Sequence, residues 1–430
     1  MIHTIQRGRP LRGTVLCPGD KSISHRYAML AALAHGTSEV RNFSPSLDCR
    51  STLQCLRSLG VEILEQRESI LIPGRGLRGL TSAAEVLDAG NSGTTIRLLS
   101  GILAGQHFSS TITGDESLSR RPMARIIEPL RLMGAKIEAA DGGLPPLRIR
   151  GGGLRAVRYE LPVASAQVKS CILLAGLFAD GLTAVREPVA TRNHTEIALR
   201  QFGAAIRLSE SWIEIEPEPK LNGLGLSVPC DLSSAAFFIT AAALIPGSEI
   251  LLHDIGTNPS RRALLDYLKL AGVDLAVLNE SESAGEARGD IRVQYDPALP
   301  GRALPPIQAE LTASLIDEIP VLSVLGALSG GLVVRDAREL RVKESDRLAA
   351  IARNLRAMGA EVEEHADGIA ISGGRPLRGA KIETWGDHRI AMAFSVAGLA
   401  ADGVTHIIQA ECAGVSFPQF FETLARLRQR

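Results

Sequence analysis

Aromatic residues are scarce in this 430-residue chain, with Phe 10, Tyr 4 and Trp 2, and charge of neither sign prevails, since 47 Lys+Arg face 47 Asp+Glu. That balance excludes a generally basic nucleic-acid binder. Cysteine is sparse too. The six, at positions 17, 49, 55, 171, 230 and 412, show no paired C-x-x-C metal spacing and fall short of the density of a disulfide-stapled secreted domain. They read as reduced, structural thiols. Long apolar runs are missing as well: the longest, Ala235 to Ile245, is interrupted by Thr240 and stopped by Pro246. A membrane-spanning helix needs about 18 apolar residues, so no span is expected. The opening Met1-Ile2-His3-Thr4-Ile5-Gln6-Arg7 has no apolar core after its first charge and does not read as a secretory signal, which makes the cytoplasm the default expectation.

What remains is ordinary globular composition, 45% hydrophobic and 22% charged, in a chain long enough for two or three domains. A hidden repeat organises it. Leu, then Arg or Lys, two further residues, Gly, and Val or Ala recur at Leu56–Val61, Leu130–Ala135, Leu199–Ala204, Leu268–Val273 and Leu355–Ala360. A second pattern, an apolar helical stretch ending in Gly before a strand-like run, closes at Gly36, Gly105, Gly181, Gly247, Gly330 and Gly403. Six units follow, each reading strand, helix, strand, helix, strand, strand (βαβαββ), with each Gly expected at a helix end in positive φ. The last two strands of a unit are expected to meet at Gly-rich turns such as Ile72-Pro73-Gly74, Ile149 to Gly153 and Ile371 to Gly374. Gly74-x-Gly76-x-x-Gly79 has the spacing of a dinucleotide fingerprint but lies between strands, so it reads as a turn.

The sixth copy stops after its second helix, Phe417 to Arg428. The likeness of Pro10 to Val15 and Pro376 to Lys381 suggests that the N-terminal strand completes it. The six units then divide three and three, giving one domain over 19–229 and another over 1–18 plus 230–430. The chain crosses near Cys17-Pro18-Gly19 and Val228-Pro229-Cys230, where proline suits a stiff two-strand hinge. Cys17 and Cys230 could form a redox latch there, but two small residues packed in adjacent strands is the better reading in a reducing compartment.

The loops launching the first helix of each unit carry the chemistry. They are Gly19 to Arg26, Gly90 to Arg97, Ser165 to Lys169, Asp231 to Ser234, Asp317 to Pro320 and Gly386 to Arg389. N-capping explains their Ser, Asp, Asn and Thr whatever the function. It does not explain Lys21, Arg26, Arg97 or Arg389, because a cation in a helix's first turn opposes the dipole unless an anion sits there. Loops before the second helices add Ser119-Arg120-Arg121-Pro122, Thr191-Arg192-Asn193-His194 and Arg341 to Arg347. A neutral chain is thus locally basic, which points to a small, multiply charged ligand. Two ligands each bearing a phosphate and a carboxylate would bring about −5 to −6, which Lys21, Arg26, Arg121, Arg192, Lys343, Arg347 and Arg389 could balance. Asp317 and Glu344 stand among these cations either for proton transfer or as salt-bridge partners, and the residues alone leave both readings open.

Pro18 to Arg26, Gly90 to Thr94, Arg121-Pro122-Met123, Ser165-Ala166-Gln167, Arg341 to Arg347 and Gly386 to Arg389 together resemble the EPSP synthase family, the 3-phosphoshikimate 1-carboxyvinyltransferases, over essentially the whole chain. The resemblance implies two inside-out, barrel-like α/β domains of three repeats each. It implies transfer of the enolpyruvyl group of phosphoenolpyruvate to the 5-hydroxyl of shikimate 3-phosphate, with release of phosphate, on the route to chorismate and aromatic amino acids. No metal or organic cofactor, nucleic acid or membrane is implied, and a monomer is expected. Shikimate 3-phosphate would be held by Lys21, Ser22, Arg26, Ser165, Ala166, Gln167, Arg192, Asp317 and Lys343, and phosphoenolpyruvate by Lys21, Gly93, Arg121, Gln167, Arg347 and Arg389. Asp317 is similar to the family's base for the 5-hydroxyl proton, Glu344 to the acid that protonates the methylene carbon, and Lys21 is catalytic as well. Arg121-Pro122-Met123, Ser165 to Lys169 and Thr191-Arg192 resemble the class II subgroup, many of whose members tolerate glyphosate, an inhibitor of the phosphoenolpyruvate site. Val415 departs from the pattern, standing where many members carry Lys before Ser416-Phe417-Pro418.

Two rivals remain at this stage. A sister enolpyruvyl transferase acting on UDP-N-acetylglucosamine would show a Lys-Asn start and a reactive-loop Cys, where Lys21-Ser22 stands instead. A non-catalytic anion-binding module on the same repeats would have little use for Asp317 and Glu344. With ligands bridging both halves, closure on binding is expected.

Overall fold

The computed structural model describes residues 1–428 and divides into two compact units, one comprising Met1–Pro18, Cys230–Ser281 and Ala287–Arg430, the other Gly19–Pro229 and Glu282–Glu286. They are called unit 1 and unit 2 below. Each holds three small sheets, and the same arrangement recurs in them. In unit 2, Thr37–Arg41 is flanked by Gly225–Ser227, parallel, and Ser69–Pro73, antiparallel, with Leu64–Glu65 outermost. Ser109–Thr113 repeats this with Leu87–Asp88, Leu144–Arg150 and Lys136–Ala140, and Thr183–Arg186 with Arg158–Glu160, Trp212–Ile215 and Ile206–Ser209. In unit 1, Glu249–Gly256 is flanked by Arg12–Val15 and Glu286–Gln294. Gly331–Val334 pairs with Gly368–Ser372, and Ile307 supplies a parallel bridge to Val334.

The sixth sheet corrects one expectation. The strand completing it is Ile2–Gln6, antiparallel to Val404–Ile408, whereas Arg12–Val15 joins Glu249–Gly256 in parallel. The likeness of Pro10–Val15 to Pro376–Lys381 is therefore one of role, since Lys381–Ile382 is likewise the parallel neighbour of Val404–Ile408. Among the described residues the strands form separate sheets of three or four strands. A second correction concerns turns. Ser69–Pro73, Leu144–Arg150 and Gly368–Ser372 precede the Gly-rich stretches, which lead to the next unit rather than join the last two strands.

The helices occupy the interior. In Lys21–Leu33 every residue from Ile23 to Leu33 is buried, and in Leu232–Leu244 every residue is. A helix buried all round must meet other helices closely, and small residues allow it. In unit 2, a Cβ on Gly101 of helix Gly93–Ala104 would lie 2.3 Å from the carbonyl oxygen of Cys171, on helix Ala166–Gly176. Side chains such as Leu98, Leu99 and Ile102, all without exposed area, contribute about 1.5–3 kcal/mol each by leaving water. The sheets keep one wet face, as the alternating burial of Leu144–Arg150 shows.

Gly60, Gly134, Gly203, Gly272 and Gly359 all adopt positive φ where their helices end, as the repeat requires. Gly105, Gly181 and Gly330 do not. At Gly105, with φ −88°, the constraint is space, because a Cβ would sit 2.1 Å from the Phe178 ring.

Two backbone hydrogen bonds mark the crossings. Asp20 N–H donates to Pro229 within unit 2 at 2.8 Å, and Asp231 N–H to Pro18 within unit 1 at 2.9 Å. All six cysteines are free thiols, and burial pushes the Cys17 thiol well up, with the neighbouring Cys230 and Asp231 adding to it. Among the described residues no helix is long and apolar enough to cross a membrane.

Candidate active site

Unit 2 gathers its cations at the starts of three interior helices. Asp20, Ser92 and Ser165 cap Lys21–Leu33, Gly93–Ala104 and Ala166–Gly176, accepting from the N–H groups of Ile23, Thr95 and Val168. These caps fix each helix start while leaving other first-turn N–H groups for a ligand. Lys21 Nζ lies 2.7 Å from Asp48 Oδ2. Arg26 is buried; it donates to Thr195 Oγ1 at 2.6 Å, Ser170 Oγ at 2.9 Å and the Ser22 carbonyl at 2.8 Å. Burial lowers its guanidinium to about 10, against the pull of Glu196 and Asp20, and nearby Arg192 adds to the drop. Arg26 therefore stays charged near neutrality.

The other end of this set centres on Gln167. Its Oε1 accepts from Arg97 at 2.6 Å, and its Nε2 donates to Thr94 Oγ1 at 3.0 Å. Arg121 donates to Asn91 Oδ1 at 2.9 Å and Ser117 Oγ at 3.0 Å. A Cβ on Gly93 would lie 2.8 Å from Arg97 Nη1 and 3.6 Å from Arg121 Nη1, so the absent side chain leaves room between two guanidinium groups. A chain of hydroxyls stiffens the floor: His25 to Thr52 at 2.6 Å, Thr52 to Thr95 at 2.7 Å, Thr95 to Ser92 at 2.8 Å. Burial, with Lys21 and Arg26 alongside, holds His25 well below its usual range, hence neutral. Lys21, Ser22, Arg26, Gly93, Arg121, Ser165, Ala166, Gln167 and Arg192 thus belong to one linked set within unit 2.

Unit 1 carries the acids. Arg347, 1% exposed, opens helix Arg347–Ala357 and binds three carboxylates. Its Nε donates to Asp387 Oδ2 at 2.8 Å, its Nη2 donates to Glu344, and its Nη1 lies 3.5 Å from Asp317 Oδ1. Burial alone would lower the guanidinium, but Asp387, Glu344 and Asp317 outweigh it and hold Arg347 above its ordinary value. Asp387, with no exposed side-chain area, caps helix His388–Ala400, and Arg347 keeps it below the usual carboxylate range although burial works the other way. Asp317 Oδ1 is also 3.6 Å from Lys343 Nζ, its Oδ2 3.9 Å from Arg389 Nη2, and its carbonyl accepts from Arg389 Nη1 at 2.6 Å. Asp317, Lys343, Glu344, Arg347 and Arg389 thus form one cluster. The acids do hold cations in place, yet Asp317 and Glu344 remain 14% and 20% exposed at the side chain, within reach of a reactant.

Some charges in the predicted loops lie outside these sets. Arg341 pairs with Asp346 and Glu364, Arg120 pairs with Glu116 on the surface, and Lys169 is buried between Glu187 and Glu196. Val415 ends a short 3-10 helix, Ala410–Val415. Several participants were not singled out from sequence. Asp48 looks like any first-turn acid of a helix, and Asp387 like any N-cap. Glu318 is buried, accepting from Ser233 Oγ and lying 3.7 Å from Arg261 and 3.6 Å from Arg389. Its only signal was a place beside Asp317.

The family model for EPSP synthase (3-phosphoshikimate 1-carboxyvinyltransferase) matches residues 5–424. The chain belongs to this family. A curated 3-phosphoshikimate 1-carboxyvinyltransferase of Solibacter usitatus is 52% identical over 430 residues, covering 100% of both chains. One from Pelotomaculum thermopropionicum is 51% identical, covering 98% of each. Among solved structures, EPSP synthase from Acinetobacter baumannii superposes with a TM-score of 0.87 at 43% identity, over 99% of this chain and 98% of that one. The enolpyruvyl transferase NikO from Streptomyces tendae, at 17% identity and a TM-score of 0.78 over 99% of this chain and 97% of its own, shares the fold. The chain is accordingly a transferase with the two-domain α/β fold of these enzymes.

Proposed function

We propose that this chain transfers the enolpyruvyl group of phosphoenolpyruvate to the 5-hydroxyl of shikimate 3-phosphate and releases phosphate, with its two clusters dividing the work. Lys21, Ser22, Arg26, Ser165, Ala166, Gln167, Arg192, Asp317 and Lys343 hold shikimate 3-phosphate. Lys21, Gly93, Arg121, Gln167, Arg347 and Arg389 hold phosphoenolpyruvate. The Asp317 carboxylate takes the 5-hydroxyl proton as that oxygen bonds to C2 of phosphoenolpyruvate, while the Glu344 carboxyl gives a proton to C3. In the second half the Glu344 carboxylate takes a proton back from C3 as the C2–O bond to phosphate breaks, which restores the double bond, and the departing phosphate takes the proton held by Asp317. Both steps need an acid and a base fixed within reach of the same carbons, and guanidinium and ammonium groups that stabilise the phosphate charge.

The observation that carries this reading is the Arg347 cluster, where two partly exposed acids, Asp317 and Glu344, share one buried cation with Lys343 and Arg389 alongside. Holding cations in place does not require acids left partly open to a reactant, and the side-chain exposure of Asp317 and Glu344 is what favours catalysis over a silent anion trap. Phosphate release with phosphoenolpyruvate plus shikimate 3-phosphate tests it, with the UDP-sugar as the competing acceptor. The proposal includes a cytoplasmic monomer that works without metal or organic cofactor; sedimentation velocity checks the monomer.

A further inference from the structure

Lys169 is one of the largest fully buried side chains in the protein, and the proposed chemistry does not use it. It sits one turn into helix Ala166–Gly176, two residues beyond Gln167, with Nζ 2.8 Å from Glu187 Oε2 and 2.7 Å from Glu196 Oε1. Burying an ammonium with two carboxylates is costly unless each partner is well placed, and such a group often fixes geometry more than it adds stability. Here each carboxylate has a second task. Glu187 accepts from the backbone N–H of Thr191 at 3.3 Å and from the Thr191 hydroxyl, which ties down the loop whose next residue is Arg192. Glu196 lies in the first turn of helix His194–Gln201, beside Thr195, whose hydroxyl receives Arg26 Nε. Glu196 also acts electrostatically on Arg26, offsetting the repulsion from Arg192.

We propose that Lys169, Glu187 and Glu196 are positioning residues that hold Arg192 and Arg26 in register for the phosphorylated hydroxyl substrate, and so set affinity for that substrate rather than for phosphoenolpyruvate. The inference rests on the assignment of Arg26 and Arg192 to shikimate 3-phosphate. Its physical basis is geometry: Lys169 is fully buried, and its two ion-pair partners, Glu187 and Glu196, stand beside the Thr191–Arg192 loop and the Thr195 hydroxyl that receives Arg26.

Steady-state kinetics of Lys169→Met, Lys169→Arg, Glu187→Gln and Thr191→Val, with Arg192→Ala in parallel, provide the test. Lys169→Met and Glu187→Gln are expected to raise the KM for shikimate 3-phosphate about tenfold or more while the KM for phosphoenolpyruvate stays within about twofold. Thr191→Val should do the same more weakly, and Lys169→Arg should recover part of the loss. Thr191→Val keeps the buried charges intact, so it reports even where Lys169→Met does not fold. Equal rises in both KM values, or none, in the folded variants would overturn the inference. If Arg192→Ala itself leaves the KM for shikimate 3-phosphate unchanged, the underlying assignment fails instead.

Discussion

Asp317 meets Arg347, Lys343 and Arg389 at 3.5 to 3.9 Å, so three cations surround it. Those cations favour the ionised carboxylate, the form a general base needs before it takes a proton. Asp317→Asn and Glu344→Gln should each keep the fold and lower kcat by about 100- to 10,000-fold, the range of a lost general base or acid; wild-type turnover in either, measured by phosphate release, would remove it from the mechanism. Asp387 has a different job. Its lowered pKa means that its stabilising effect is full above the unfolded value of about 3.9 and is lost as pH falls through the lower folded value. Asp387→Asn should cost about 3–5 kcal/mol near neutral pH, with the deficit shrinking toward acid, as urea melts across pH would show.

At the scale of the helix and strand, sequence carried a great deal. The recurring Leu and Gly of the repeat mark helix ends, because only a residue without Cβ adopts positive φ cheaply at Gly60, Gly134, Gly203, Gly272 and Gly359. The succession of strands and helices within a repeat was legible too. Less legible were glycines kept for space, such as Gly105 against Phe178, since proximity 73 residues away leaves no local mark. The completing strand Ile2–Gln6 was missed because motif likeness pointed to Pro10–Val15, which has the other strand role in another sheet. The basic loops were legible because cations in a helix's first turn are conspicuous. The acids that position them, Asp48, Asp387 and Glu318, were not, because capping or solvation explains an acid in a helix's first turn equally well. Gly101 gives the element-scale test. With the Cys171 carbonyl 2.3 Å from where its Cβ would be, Gly101→Ala must push two interior helices apart, costing about 1–3 kcal/mol in a thermal melt. An unchanged Tm would mean the helices are not packed so closely.

At the scale of the whole molecule, the proposed phosphoenolpyruvate contacts come from residues of both units. Arg121→Ala in unit 2 and Arg389→Ala in unit 1 should therefore both raise the KM for phosphoenolpyruvate more than that for shikimate 3-phosphate. A variant with equal effects on both would lose that assignment. Most direct is a single assay on the unaltered chain: phosphate liberated from phosphoenolpyruvate with shikimate 3-phosphate, with UDP-N-acetylglucosamine, and with neither. The account predicts stoichiometric phosphate in the first reaction only, whereas release with the UDP-sugar alone, or in none of the three, would contradict it.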